Sequence, residues 1–127
     1  MKTPVILLVT QDPNLEESVA QALLETGAVS HLMPSPSDAL ELVCTLGQNV
    51  DLAVVDCEHG PYGLNLLSTI KTRREEIPVI AVTAEDEKLV EALAYATGAF
   101  VCWSKPVLAS QIAAAIKQCT RRFVEVC

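Results

Sequence analysis

The sequence predicts an α/β domain built on a parallel, doubly wound sheet, and three observations lead there. Five short apolar runs recur along the chain, segments with apolar residues at helical spacing separate them, and turn and capping residues mark the joins. Parallel strands joined by such short connections need crossover helices, which pack onto both faces of the sheet and make a three-layer sandwich. With 127 residues, half of them hydrophobic and a fifth charged, the chain has the size of one domain with one core, expected to span residues 1–127. Its closing stretch, Arg-Arg-Phe-Val-Glu-Val-Cys, carries no helix stop, as in a domain excised from a longer protein.

Residues 5–9 form the first run, and Asp12-Pro13 then sets a capping side chain before a proline at the first helical position. Leu15, Val19 and Leu23 follow at helical spacing, and Gly27 stands where a left-handed C-cap belongs. A weaker run covers residues 29–33; Ser35-Pro36 opens the second helix, Asp38 adds a carboxylate to its first turn, and Gly47 ends it. The third and fourth runs are residues 52–55 and 79–82, and Gly98 closes the helix between the fourth run and the fifth, at 100–103. Ile112, Ala115 and Ile116 mark the last helix.

A net charge of −7 and a sequence pI near 4.7 argue against nucleic-acid binding, which rests on clustered cations. Lys71, Arg73 and Arg74, and likewise Lys117, Arg121 and Arg122, read as cations at helix C-termini. The five cysteines form no CxxC pair, and with no secretion signal this points to a reducing cytoplasm. No apolar run has the length of a membrane span.

In a doubly wound sheet the functional cleft lies outside the carboxyl ends of the strands. The first exit supplies Thr10, Gln11 and Asp12, the third Asp56, the fourth Thr83, and the fifth Ser104, Lys105 and Pro106. Singly, each has an ordinary role: Asp56 as a turn cap, Thr83 as a helix cap, Lys105 as a solvated loop residue. Together they suit phosphoryl chemistry, with Asp56 as nucleophile, Lys105 countering phosphate charge and the Thr83 hydroxyl donating to a phosphoryl oxygen.

Three segments resemble the receiver domain of two-component response regulators, and the likeness covers nearly the whole chain. They are Asp-Leu-Ala-Val-Val-Asp (51–56), Ile-Pro-Val-Ile-Ala-Val-Thr-Ala (77–84) and Gly-Ala-Phe-Val-Cys-Trp-Ser-Lys-Pro (98–106). The resemblance implies a flavodoxin-like (βα)5 fold with strand order 2-1-3-4-5. It makes Asp56 the phosphoacceptor, served by a histidine kinase or phosphotransfer protein, and gives Thr83 and Lys105 the phosphate-binding and switch roles. It implies a cis peptide at Lys105-Pro106 and no enzymatic activity beyond self-phosphorylation and dephosphorylation of Asp56. It also implies a partner or dimer face made by the fourth helix, fifth strand and fifth helix, where Tyr95 and Ala96 fall.

The chain departs from that pattern at the metal site. Thr10 and Gln11 stand where the family has the two acids that hold Mg²⁺ with the phosphoacceptor, and each lost charge about 4 Å from the ion forgoes on the order of 4 kcal/mol at an effective dielectric near 20. A weak ligand set of Asp12, Asp56, Gln11 and the Glu58 backbone carbonyl remains, with the Glu58 carboxylate available to replace some charge. Asp12, before Pro13, reads better as a helix cap. Cys102 occupies the position of the family's switch aromatic, Gly63 falls one residue early, and His59-Gly60-Pro61 replaces a Met-Pro turn.

Two functions follow. One is a phosphorylatable receiver; the alternative is a phosphorylation-independent pseudo-receiver, an interaction module with Lys105 paired permanently to Asp56. A thiol enzyme using Cys57 and His59 is a poor third, since no oxyanion or orienting group accompanies them, and no glycine-rich turn after the first strand suggests a nucleotide or flavin site.

Overall fold

In the computed structural model, residues 3–35, 37–39, 41, 50–58 and 61–126 are described, the last seven by backbone alone. The strands are β1 (Val5–Val9), β2 (Val29–Met33), β3 (Leu52–Asp56), β4 (Val79–Thr83) and β5 (Val101–Ser104). All pair in parallel, in the expected order β2-β1-β3-β4-β5. Helices Pro13–Thr26, Tyr62–Arg73, Lys88–Thr97 and Ala109–Val126 connect or follow them. Residues 37–39 and 41 are helical where the second helix is expected; Pro36, Cys44 and Gly47 lie outside the described residues.

Alternation along each strand decides which helices it meets, because successive side chains point to opposite faces. Ile6, Leu8, Leu52, Val54, Ile80 and Val82 pack against the first and last helices. Leu7, Val9, Ala53, Val55, Val79 and Ala81 pack with Leu66, Leu67 and Ile70 of Tyr62–Arg73 and Ala94 of Lys88–Thr97. Both faces of β3 and β4 are covered, which explains why these strands read as unbroken apolar runs. β2 is an edge strand and more exposed, which explains its weaker signal.

The end signals hold where they are described. Asp12 Oδ1 accepts the Asn14 N–H at 2.9 Å, Pro13 is the first helical residue, and Gly27 and Gly98 close their helices in the left-handed conformation. Lys71 Nζ donates to the carbonyls of Glu75 and Ile77, each at 2.9 Å, binding the end of its helix to the turn before β4.

Three strands run one residue further than the apolar pattern suggests, to Asp56, Thr83 and Ser104. Backbone pairing outlasts the buried side chains: Cys57 N–H donates to Val82 O at 2.7 Å and Lys105 N–H to Thr83 O at 2.9 Å. β5 also begins one residue late, leaving Phe100 about half exposed. Beside β5, the Cys102 N–H donates to the Tyr95 hydroxyl at 3.1 Å, so a helix side chain partners the backbone of the edge strand. No helix among the described residues is long and apolar enough to cross a membrane.

Candidate functional site

The register sets the carboxyl ends of the central strands side by side, with Val9 opposite Val55 and Asp56 opposite Val82. Thr10 follows β1 and is buried, so its hydroxyl needs a partner. Oγ1 donates to Asp56 Oδ2 at 2.7 Å and accepts the Asp12 N–H at 3.0 Å. Lys105, carried past β5, brings Nζ to 2.8 Å from Asp56 Oδ2 and 2.8 Å from Asp12 Oδ2, and against Glu58 Oε2. The Glu58 N–H donates to Asp56 Oδ1 at 3.0 Å. Both oxygens of Asp56 are thus engaged, and its side chain is only 4 % exposed.

The charges reinforce one another. Burial acts to lower the Lys105 pKa, but the hydrogen bonds to Asp12, Asp56 and Glu58 outweigh it and raise the ammonium above its ordinary range. Asp12 is held below the usual carboxylate range, first by its hydrogen bond from Lys105, against the opposing effect of burial, and further by the Asn14 N–H. Asp12 therefore does two things: one oxygen caps its helix and the other grips Lys105.

Gln11, grouped with these residues on sequence grounds, stands apart: its Nε2 donates to Pro34 O at 3.0 Å, tying it to the end of β2. Thr83 joins the cluster through its backbone carbonyl, which accepts the Lys105 N–H, and its side chain is buried. Burial raises the Cys102 thiol pKa, with the Glu91 charge adding to it. The Lys105–Pro106 peptide bond is cis.

Gly63 matters because of the short loop before it. A Cβ there would stand 2.7 Å from Asp56 O and 2.9 Å from Cys57 Cα, so only glycine lets the helix lie against the strand end that carries Asp56. Cys57 is buried, and burial above all, with the charges of Cys102 and Asp56, pushes its thiol pKa up to about 12. A thiol that stays protonated at neutral pH is a poor nucleophile. His59, its suggested base, lies outside the described residues.

Beside the cluster opens a cleft of about 310 Å³, bounded by Asp12, Leu15, Glu58, Glu85, Lys105 and Pro106 among others. Asp56 does not line it. The sequence reading missed Thr10 as a donor to Asp56 and the Glu58 side chain as a partner of Lys105. The only signal was a hydroxyl directly after a buried run, which says that a partner exists without saying which.

Comparison with known proteins supplies a family. Residues 6–117 match the model of the response regulator receiver domain. A receiver domain protein from Clostridium thermocellum superposes with a TM-score of 0.84 at 22% identity, covering 98% of this chain and 99% of that one. A CheY-like receiver domain protein from Methanospirillum hungatei gives 0.83 at 22%, covering 98% and 99%. An orphan response regulator of Helicobacter pylori, HP1043, gives 0.77 at 22%, covering 91% and 95%. At these identities the likeness carries the fold alone. No curated protein matches in sequence.

Proposed function

The chain belongs to the response regulator receiver domain family, and from that premise we propose that it is a receiver working without phosphate, as a protein-interaction module in two-component signalling. The observation that carries this reading is the closure of Asp56. A carboxylate nucleophile needs a free oxygen about 3–3.5 Å from the atom it attacks, in line with the leaving group. Here Oδ2 accepts from Thr10 and Lys105, Oδ1 accepts from the Glu58 N–H, and Asp56 is not among the residues lining the neighbouring cleft. An incoming phosphoryl group would also meet the carboxylates of Asp12 and Glu58, already clustered with Asp56.

The family's Mg²⁺ would ordinarily offset that repulsion. Hard carboxylate oxygens suit such an ion, but the point on which these three converge is held by the Lys105 ammonium. As arranged, the residues do not fit a divalent cation.

A surface for partners is present on the helix Lys88–Thr97. Val90 and Ala94 turn inward, while Leu89, Ala92, Leu93 and Ala96 form an exposed apolar stripe at helical spacing. Of these residues, Ala96 is one that the family resemblance implies, with Tyr95, for the partner or dimer face.

One observation favours the other reading, with Asp56 accepting a phosphoryl group from a histidine kinase or phosphotransfer protein: Lys105 Nζ, 2.8 Å from the carboxylate, is placed to counter phosphate charge. Incubation with acetyl phosphate, and separately with beryllofluoride, with and without Mg²⁺, separates the two when read by intact mass and amide shifts. The expected result is an unchanged chain. An acyl phosphate that forms on the native protein and vanishes in Asp56→Asn would overturn the phosphate-free reading.

A further inference from the structure

The family implies a divalent cation at this edge of the sheet, and the residues here disagree with it in a specific way. The carboxylates of Asp12, Asp56 and Glu58 bring one oxygen each within 4.8 Å of the others, a donor set with the hardness and charge such an ion wants. Yet Lys105 Nζ already bonds one oxygen of each. An ammonium has three N–H donors and no acceptor, so three carboxylates match it one for one.

We propose that Lys105 is the resident cation of this site: its ammonium takes the place of the divalent ion, so the native chain ignores Mg²⁺, and removing the ammonium converts the three carboxylates into a divalent-cation site. The inference rests on the reading that Asp56 works without phosphate, and it specifies what holds the site in that state. A tethered ammonium has an advantage over a free ion because it loses no translational freedom on binding. Its main chain is anchored as well, through the Lys105 N–H to Thr83 O. Thr10 adds to the disagreement, since it presents Asp56 with a hydroxyl donor where the family has an acid.

The test is a titration of the full chain with Mg²⁺ and with Mn²⁺, read by Trp103 fluorescence and by thermal melting against an EDTA reference. Native protein, Lys105→Met and the double variant Lys105→Met/Glu58→Gln are compared. The native chain is expected to show no saturable response through the millimolar range. Lys105→Met should bind at least about tenfold more tightly, equivalent to about 1.4 kcal/mol, and melt higher with metal than in EDTA. The double variant should lose most of that gain.

Saturable millimolar binding by the native chain, or a Lys105→Met protein that gains nothing, would overturn the proposal. Should Lys105→Met fail to fold even with metal, Mn²⁺ added to the native chain decides by NMR. Selective broadening of the Asp56 and Lys105 signals overturns the proposal, and unbroadened signals support it. A native chain that takes no phosphoryl group but binds Mn²⁺ defeats this inference and leaves the phosphate-free reading standing. A phosphoryl adduct on Asp56 defeats that reading whatever the titration shows.

Discussion

The carboxyl edge of the sheet and the outer face of the helix Lys88–Thr97 invert the usual distribution of polarity. At the edge a group of charges is drawn inward, with the Asp56 side chain 4 % exposed and its oxygens occupied. On the helix, Leu89 is 72% exposed and Leu93 44%. Scattered exposed leucines are ordinary, but Leu89 and Leu93 stand with Ala92 and Ala96 in one exposed stripe, which is informative. At the edge the polar groups are taken up by internal bonding, whereas on the flank apolar side chains meet solvent.

Substitutions sharpen that contrast. The largest effect is expected at Lys105. Replacement by Met leaves three clustered carboxylates without their cation, and breaking a largely buried pair from one side costs about 3 kcal/mol, measurable as a lower urea midpoint in EDTA. Thr10→Val comes next. It removes the donor to Asp56 and the acceptor for the Asp12 N–H while keeping the shape, and leaving such groups unsatisfied costs about 2 kcal/mol. A Thr10→Val protein as stable as the native chain would mean that the edge is looser than its bonds suggest.

The pH dependence of stability has a definite sign. Asp12 has a folded pKa below 3.8, so its contribution is present above 3.8 and lost as the pH falls through the lowered value. Lys105 has a folded pKa above 10.5, so its contribution is complete below 10.5 and lost as the pH rises through the raised value. Urea titrations should therefore show the Lys105–Asp12 pair intact across neutral pH, and Asp12→Asn should flatten the acid limb below 3.8. The smallest stability effect belongs to the helix face: Leu89→Ser with Leu93→Ser should together stay within about 1 kcal/mol and weaken any self-association seen by sedimentation. A large loss of stability would place these leucines in the core and end the comparison.

Much of this arrangement could be read before folding was considered. The apolar runs located all five strands, and the polar residues that end them marked Asp56, Thr83 and Lys105, because burial stops where the cleft begins. Asp12-Pro13, Gly27 and Gly98 delimited helices through local chemistry alone. The bonds that close the site were less legible, since they join residues far apart in the chain: Thr10 meets Asp56 across 46 positions and Lys105 meets Asp56 across 49. Asp12 was legible as a cap and as a weak metal ligand but not as a partner of Lys105, because one of its oxygens satisfies a neighbour while the other serves a strand end at the far side of the chain. The Glu58 carboxylate is expected from sequence to restore some of the negative charge lost with the acidic pair and so to help hold a metal ion, whereas in the structure its counter-ion is the Lys105 ammonium.

The Tyr95 hydroxyl on the Cys102 N–H bears on what the open edge of β5 offers. An edge strand with free backbone donors invites another chain to extend the sheet. Here one such donor is already answered by a phenol from the neighbouring helix. Addition of a further strand is thereby discouraged at this point of the edge, where the main chain has one donor fewer to offer and the side chains of the helix and of β5 make up the surface.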